Sequence, residues 1–115
     1  MKNYNNEGYV YIIADYDNEA YKIGVTRNLI SKRMKQLQTG NSNDLKLIKS
    51  FKSQYPFKLE SLLHRRFSYK RIQNEWFALD KLDIDEFETM CQISEQNFEM
   101  LEKMKQEELF FNKLF

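Results

Sequence analysis

A chain of 115 residues with 42% hydrophobic content is long enough for one compact domain and short for two. No apolar run approaches the roughly 20 residues that span a bilayer, which excludes a helical membrane protein. The net charge of +1 hides a segregation: residues 22–71 carry 13 Lys or Arg against the two acids Asp44 and Glu60, whereas residues 72–115 carry four Lys against 11 acids. A basic block of that size can neutralise several phosphates and points to a nucleic-acid partner; the same pattern also suits a solvated face balanced by its own acidic tail.

The N-terminal MKNYNNEGY lacks the apolar stretch of a signal peptide, which predicts a cytoplasmic protein. From Gly8 to Ala14 aromatic and β-branched residues predict a strand, and Asp15-Tyr16-Asp17-Asn18 a turn. Ala20 to Val25 is then the returning strand of a hairpin. Asn28 is the expected N-cap of a helix whose Ile30, Met34 and Leu37 recur at helical spacing until Gly40. A third strand is predicted over Leu45 to Phe51, and a second helix from Pro56 with Leu59, Leu62, Leu63 and Phe67 as its buried stripe. Trp76 and Phe77 read as core anchors.

From Ile84 onward the pattern is helical, with Ser94 a candidate N-cap for a second stretch. Cys91, alone in the chain, excludes an intrachain disulfide and argues against a cysteine-built zinc site. The apolar ending at residues 109–115 is expected to pack on the domain or on another copy of it, giving a homodimer through residues 83–115. The fold class is therefore α/β (α+β): a small three-stranded antiparallel sheet flanked by helices over residues 1–82, with an acidic helical extension over 83–115.

Strand alternation sorts the hairpin. Tyr9, Tyr11 and Ile13 share one face, Val10, Ile12 and Ala14 the other, and Lys22 and Gly24 point away from Tyr21 and Ile23. A tyrosine beside a lysine can act as a base, because a cation favours phenolate over phenol. Gly24 permits close backbone approach, or marks a bend. Arg33 sits beside the apolar stripe of the first helix, where a planar guanidinium suits bidentate phosphate contact. Glu60 and His64, four residues apart, share one face of the second helix. Glu60 is the only acid from Leu45 to Gln73, so its carboxylate is the natural holder of Mg²⁺ or Mn²⁺ in a cationic field; an ion pair with a neighbouring Lys or Arg is the alternative. His64 suits a proton carrier, a phosphate contact or a structural residue. Glu75 is a second candidate carboxylate. Arg27, Lys32, Lys35, Arg65 and Arg66 are the expected nucleic-acid contacts.

Taken in order, GYVYII at 8–13, YKIGVTRN at 21–28, Arg33 with QLQTG at 36–40, LESLLH at 59–64 and NEWF at 74–77 resemble the GIY-YIG endonuclease superfamily. The branch it is similar to has KIG in its second signature and carries LE…LH and EWF motifs. The resemblance covers residues 8–79 and implies a DNA endonuclease that works with one divalent metal. It implies Tyr11 as general base or its relay, Arg33 on the scissile phosphate and Glu60 on the metal. Tyr9 stands where many members have glycine, and Lys22 where the second signature has tyrosine, with Tyr21 one residue earlier. Asn74 is the nearest counterpart of an asparagine that many members carry. Three functions fit these residues: a metal-dependent nuclease, a non-catalytic nucleic-acid-binding module on the same scaffold, and a regulatory or interaction role for residues 83–115.

Overall fold

A computed structural model describes residues 6–114; Phe115 and the first five residues lie outside the described structure. The hairpin forms as expected from β1 (Gly8–Asp15) and β2 (Ala20–Thr26), antiparallel with Tyr11 opposite Gly24 and Ile13 opposite Lys22. Strand β3 (Leu45–Ser53) pairs on the other side of β1, which makes β1 a central strand and accounts for its unbroken apolar run. The sheet has five strands rather than three: β4 (Arg71–Gln73) and β5 (Trp76–Phe77) form a short hairpin that extends the order to β3-β1-β2-β5-β4. Segments of three and two residues are too short to show an alternation, so only the turn marks them. Asn74, at φ 52°, supplies that turn in the left-handed region, which asparagine tolerates better than most residues.

The two sheet faces are covered by different helices. Helix α1 (Ile30–Thr39) lays Ile30, Met34 and Leu37 against Tyr11, Ile13 and Leu45. On the opposite face α2 (Pro56–Arg66) inserts Leu59 and Leu63 among Val10, Ile12, Ile23 and Phe77. A short α3 (Lys81–Asp85) leads into α4 (Phe87–Leu114), whose Phe87 and Cys91 complete that core. Ser53 donates from its hydroxyl to Glu95, and the Gln54 N–H donates to the same carboxylate at 2.9 Å, which fixes α4 on the turn entering α2.

Three local expectations change. Asn28 does not cap α1: its N–H donates to Thr26 Oγ1 at 3.0 Å, and the helix starts after Leu29 without a side-chain cap. Ser94 is a buried mid-helix residue, because α4 runs unbroken for 28 residues. The helical start is set earlier, where Asp80 and Asp83 form a reciprocal capping box. Of the two alternatives for the apolar ending, the described residues do not take packing on the domain, since every residue from Glu99 to Leu114 is exposed; Phe115 lies outside the described residues. A 28-residue helix is about 42 Å long, and its projecting half accounts for extents of 60 × 29 × 21 Å. Among the described residues no helix is long and apolar enough to cross a membrane.

Gln38 fastens the loop after α1 by accepting from the Leu45 N–H at 2.9 Å and donating to the Asn43 carbonyl at 2.7 Å. Asn43 in turn donates to Asp15 Oδ2 at 3.0 Å, and Asn18 to the same oxygen at 2.8 Å. The bonds from Asn43 and then Asn18 hold the Asp15 carboxyl below its ordinary value. A lowered folded value means that this stability is present above the ordinary value of 3.8 and is lost as pH falls through the folded one. Asp15→Ala is expected to lower stability by about 1–2 kcal/mol at neutral pH. In denaturant unfolding, the gap from the parent protein should shrink as the solution is acidified below that window.

Burial pushes the Cys91 thiol up to about 12, and the carboxylates of Glu95 and Glu88 add to the shift. Because only the thiolate reacts, Cys91 should resist iodoacetamide in the native protein at pH 8 and react in denaturant. Equal labelling rates in the two states would contradict this packing.

Candidate active site

Strand β2 is paired with β1 along its length, but β5 covers its other edge only at Tyr21 and Lys22. Beyond that point the edge is open to groups from both sheet faces. From the α1 face comes Tyr11, whose ring lies directly over Gly24: a Cβ built at residue 24 would sit 2.4 Å from the Tyr11 hydroxyl oxygen. Glycine here is a requirement of close approach rather than of a turn. Arg33 reaches the same point from α1 and donates from Nε to the Tyr11 hydroxyl at 3.2 Å. Its Nη1 donates to Gln36 Oε1 at 3.4 Å.

From the α2 face come His64 and Glu60. His64 Nε2 is 2.8 Å from the Ile23 carbonyl oxygen, so this nitrogen carries the proton and donates. The bond, together with the His64–Phe77 ring contact at 5.1 Å, ties α2 to the β2 edge. Glu60 Oε2 lies 3.8 Å from the same nitrogen, beyond hydrogen-bonding reach. Desolvation raises the Glu60 carboxyl above its ordinary value; His64 and Lys22 oppose the shift, whereas Glu75 adds to it. Glu60, His64, Glu75 and Lys22 therefore share one electrostatic neighbourhood.

Lys22 is committed to Glu75. Its Nζ lies 2.6 Å from Glu75 Oε1 and 5.9 Å from the centre of the Trp76 ring. The lysine side chain is 12% exposed and the glutamate 44%, so the ammonium has given up most of its water. Removing Glu75 would therefore cost more than the ~0.2–1 kcal/mol of a surface pair, because it would leave a nearly buried charge alone. Glu75 also accepts the Ile23 N–H through its backbone carbonyl at 3.0 Å. The cation on the Tyr11 hydroxyl is accordingly Arg33, and Lys22 is turned to Glu75.

The remaining sequence-derived residues fall around this edge. Tyr9 lines a cleft of about 360 Å³ with Glu7, Arg27, Asn28, Leu29 and Lys52. Arg27 lies at the end of β2, stacked 5.5 Å from the Phe57 ring of α2. Lys32 and Lys35 are on α1, and Arg65 and Arg66 are exposed on α2. Tyr21 points to the opposite face, packing on the α2-side core and edge-on against Tyr16 at 6.4 Å. Asn74 is the exposed turn residue between β4 and β5. Lys52, directly across from Tyr9 on β3, is a cleft cation that sequence reasoning did not single out; its signal is the pairing register.

Among the described residues no three His, Cys, Asp or Glu side chains are grouped to hold a metal. That donor set does not suit zinc, which takes three or four protein ligands. It does suit a hard cation such as Mg²⁺, which is held by one or two carboxylates and completes its shell with water and phosphate oxygens. Glu60, partly desolvated and 3.8 Å from its nearest ion-pair partner among the described residues, is the fitting donor.

The family model of the T5orf172 domain matches residues 8–109, and the chain belongs to that family, which is associated with endonuclease-like proteins. Neither the curated proteins nor the solved structures gave a match.

Gly24→Ala tests the close approach. The new methyl must displace a ring that is 1% exposed and enclosed by α1, so the expected cost is about 1–3 kcal/mol of stability. Unchanged thermal unfolding would show that Tyr11 can move aside.

Proposed function

We propose that this chain is a GIY-YIG-type endonuclease domain that hydrolyses phosphodiester bonds in DNA with one divalent metal, Mg²⁺ or Mn²⁺. The observation that carries the proposal is the Arg33–Tyr11 hydrogen bond over Gly24 of β2, with the partly desolvated Glu60 of α2 in the electrostatic neighbourhood of Lys22 on the same strand. Family membership supports the same chemistry. Arg33, held at Nε by Tyr11, keeps guanidinium N–H groups for phosphate oxygens and stabilises the charge that develops there. Tyr11, fixed by that bond and by the packing of its ring, orients the attacking water and takes or relays its proton. Glu60 would hold the cation, which supplies Lewis-acid stabilisation at the phosphate. His64 positions Glu60 by locking α2 to Ile23. Arg27, Lys32, Lys35, Arg65 and Arg66 bind the flanking phosphates.

A second reading, a module that binds DNA without cutting, is favoured by one observation. Lys22 replaces the second-signature tyrosine and is neutralised by Glu75 at 2.6 Å, so no second hydroxyl stands beside Tyr11 at that position.

Incubation of the protein with supercoiled plasmid separates the two. The nuclease reading expects nicking with Mg²⁺ or Mn²⁺, none with chelator, and at least ~100-fold slower reaction for folded Arg33→Ala and Glu60→Ala. Full activity in Glu60→Ala would remove the metal assignment. Binding that weakens steeply with salt, with no cleavage under either metal, would establish the second reading.

A further inference from the structure

The outer face of α4 repeats an apolar pattern unrelated to the one that anchors the helix. Phe87, Cys91, Ser94 and Phe98 face the domain. Ile93, Met100, Met104, Phe111 and Leu114 follow one another at steps of seven, four, seven and three residues. At 3.6 residues per turn this second stripe lies roughly 140° around the helix from the first. With Asn97 and Glu107 it fills the a and d positions of three heptads: Asn97, Met104 and Phe111 at a, and Ile93, Met100, Glu107 and Leu114 at d. Ile93, Met100, Met104 and Leu114 are 54%, 58%, 55% and 60% exposed, and Phe110 flanks the stripe at 66%. Exposed apolar residues are ordinary when scattered, but a stripe broken only at Asn97 and Glu107 on a projecting helix is an association surface. No residue from Glu99 to Leu114 belongs to the domain core, so core packing does not hold this half helical.

We propose that this face pairs with the same face of a second copy of the chain, in a parallel two-stranded coiled coil over residues 93–114. Three features select that occupant. The heptad phase is self-complementary, so an identical helix offers holes for each knob. Asn97 is a polar residue at one a position, the device that fixes register in two-stranded parallel coils. Lys103 falls at g and Glu108 at the following e; a parallel pair sets each lysine against the partner's glutamate on both sides of the seam. An antiparallel pair would bring g to g and e to e, and would make no such match. A polyanion is a poor occupant, because Glu99, Glu102, Glu107 and Glu108 outnumber Lys103, Lys105 and Lys113 on this half of the helix. Glu107 at a d position and the three-heptad length weaken the pair, so association is reversible and concentration-dependent. This inference stands on α4 alone and does not need the chain to cut DNA.

Sedimentation equilibrium of the full chain over a concentration series tests it. The mass should rise from one chain to two. Met100→Glu with Met104→Glu should leave one chain at every concentration, with unchanged thermal unfolding of the domain because both side chains are exposed. Lys103→Glu should weaken the dimer about tenfold, through two lost pairs and two like-charge contacts, and adding Glu108→Lys should restore it. A parent protein that stays at one chain, a species larger than two chains, or a dimer that survives the methionine substitutions overturns the proposal. A dimer that the charge swap fails to restore overturns the parallel arrangement.

Discussion

The unequal coverage of β2 is the constraint on which the site depends. One edge of β2 is saturated by β1; the other is covered by β5 for only two residues and then released. A strand in that position is inside the sheet at one end and at its rim at the other. Groups carried by α1 and by α2, which belong to opposite faces, can meet only where the sheet between them stops. Glu75 sets the stopping point: its carbonyl takes the Ile23 N–H, its carboxylate takes Lys22, and the left-handed turn at Asn74 leads directly into it. The Ile23 carbonyl is then taken by His64 rather than by a strand. A side chain from α2 thus replaces the next rung of the ladder, and Glu60, one helical turn earlier, is delivered to the rim.

Within the electrostatic neighbourhood of the rim, two carboxylates fare differently. Lys22 and Glu75 neutralise one another, with the lysine nearly dry. Glu60, by contrast, has a long contact with His64, 3.8 Å, which does not offset what burial costs the carboxylate, and its carboxyl is raised accordingly. A carboxylate that the fold desolvates without satisfying gains most from an added cation. Lys22, held against Glu75, does not extinguish that demand. The same pair that leaves Tyr11 without a second hydroxyl therefore also leaves Lys22 too little free charge to cancel the rise at Glu60.

Much of this architecture is legible in the sequence where a period is long enough to measure. The eight residues of β1 and seven of β2 show their faces by alternation, which sets Tyr11, Lys22 and Gly24 apart from Tyr21 and Ile23. The shared face of Glu60 and His64 follows from helical spacing. What is not legible is pairing. Nothing local to Lys22 announces Glu75, 53 residues away, and nothing in Arg-Ile-Gln or Trp-Phe announces a strand. Caps mislead where two polar candidates compete. Asn28 is a good cap type, but Thr26 captures its N–H; Ser94 is also a good cap type, but it lies on the buried face of a continuous helix. Asp80-Lys81-Leu82-Asp83 carries the real start signal, a capping box with aspartate in place of the usual glutamate.

Charge segregation along the chain becomes a narrower statement in three dimensions. Of the basic block, Lys22 is consumed by Glu75, and Lys70 by Asp80 and Asp83, whose bonds raise the lysine well above its ordinary value. Lys46 and Lys52 have acidic neighbours in Asp44 and Glu7, pairs that salt and solvent keep weak. The acids of the C-terminal segment are spent in two ways: the first few on the body, where Asp80, Asp83 and Glu95 pin α3 and α4, and the rest along a helix that leaves it. Arg27, just past the end of β2, is stacked on Phe57 of α2. On the proposed function, the phosphate bound by Arg33 lies beside Gly24, where the Tyr11 ring crosses β2.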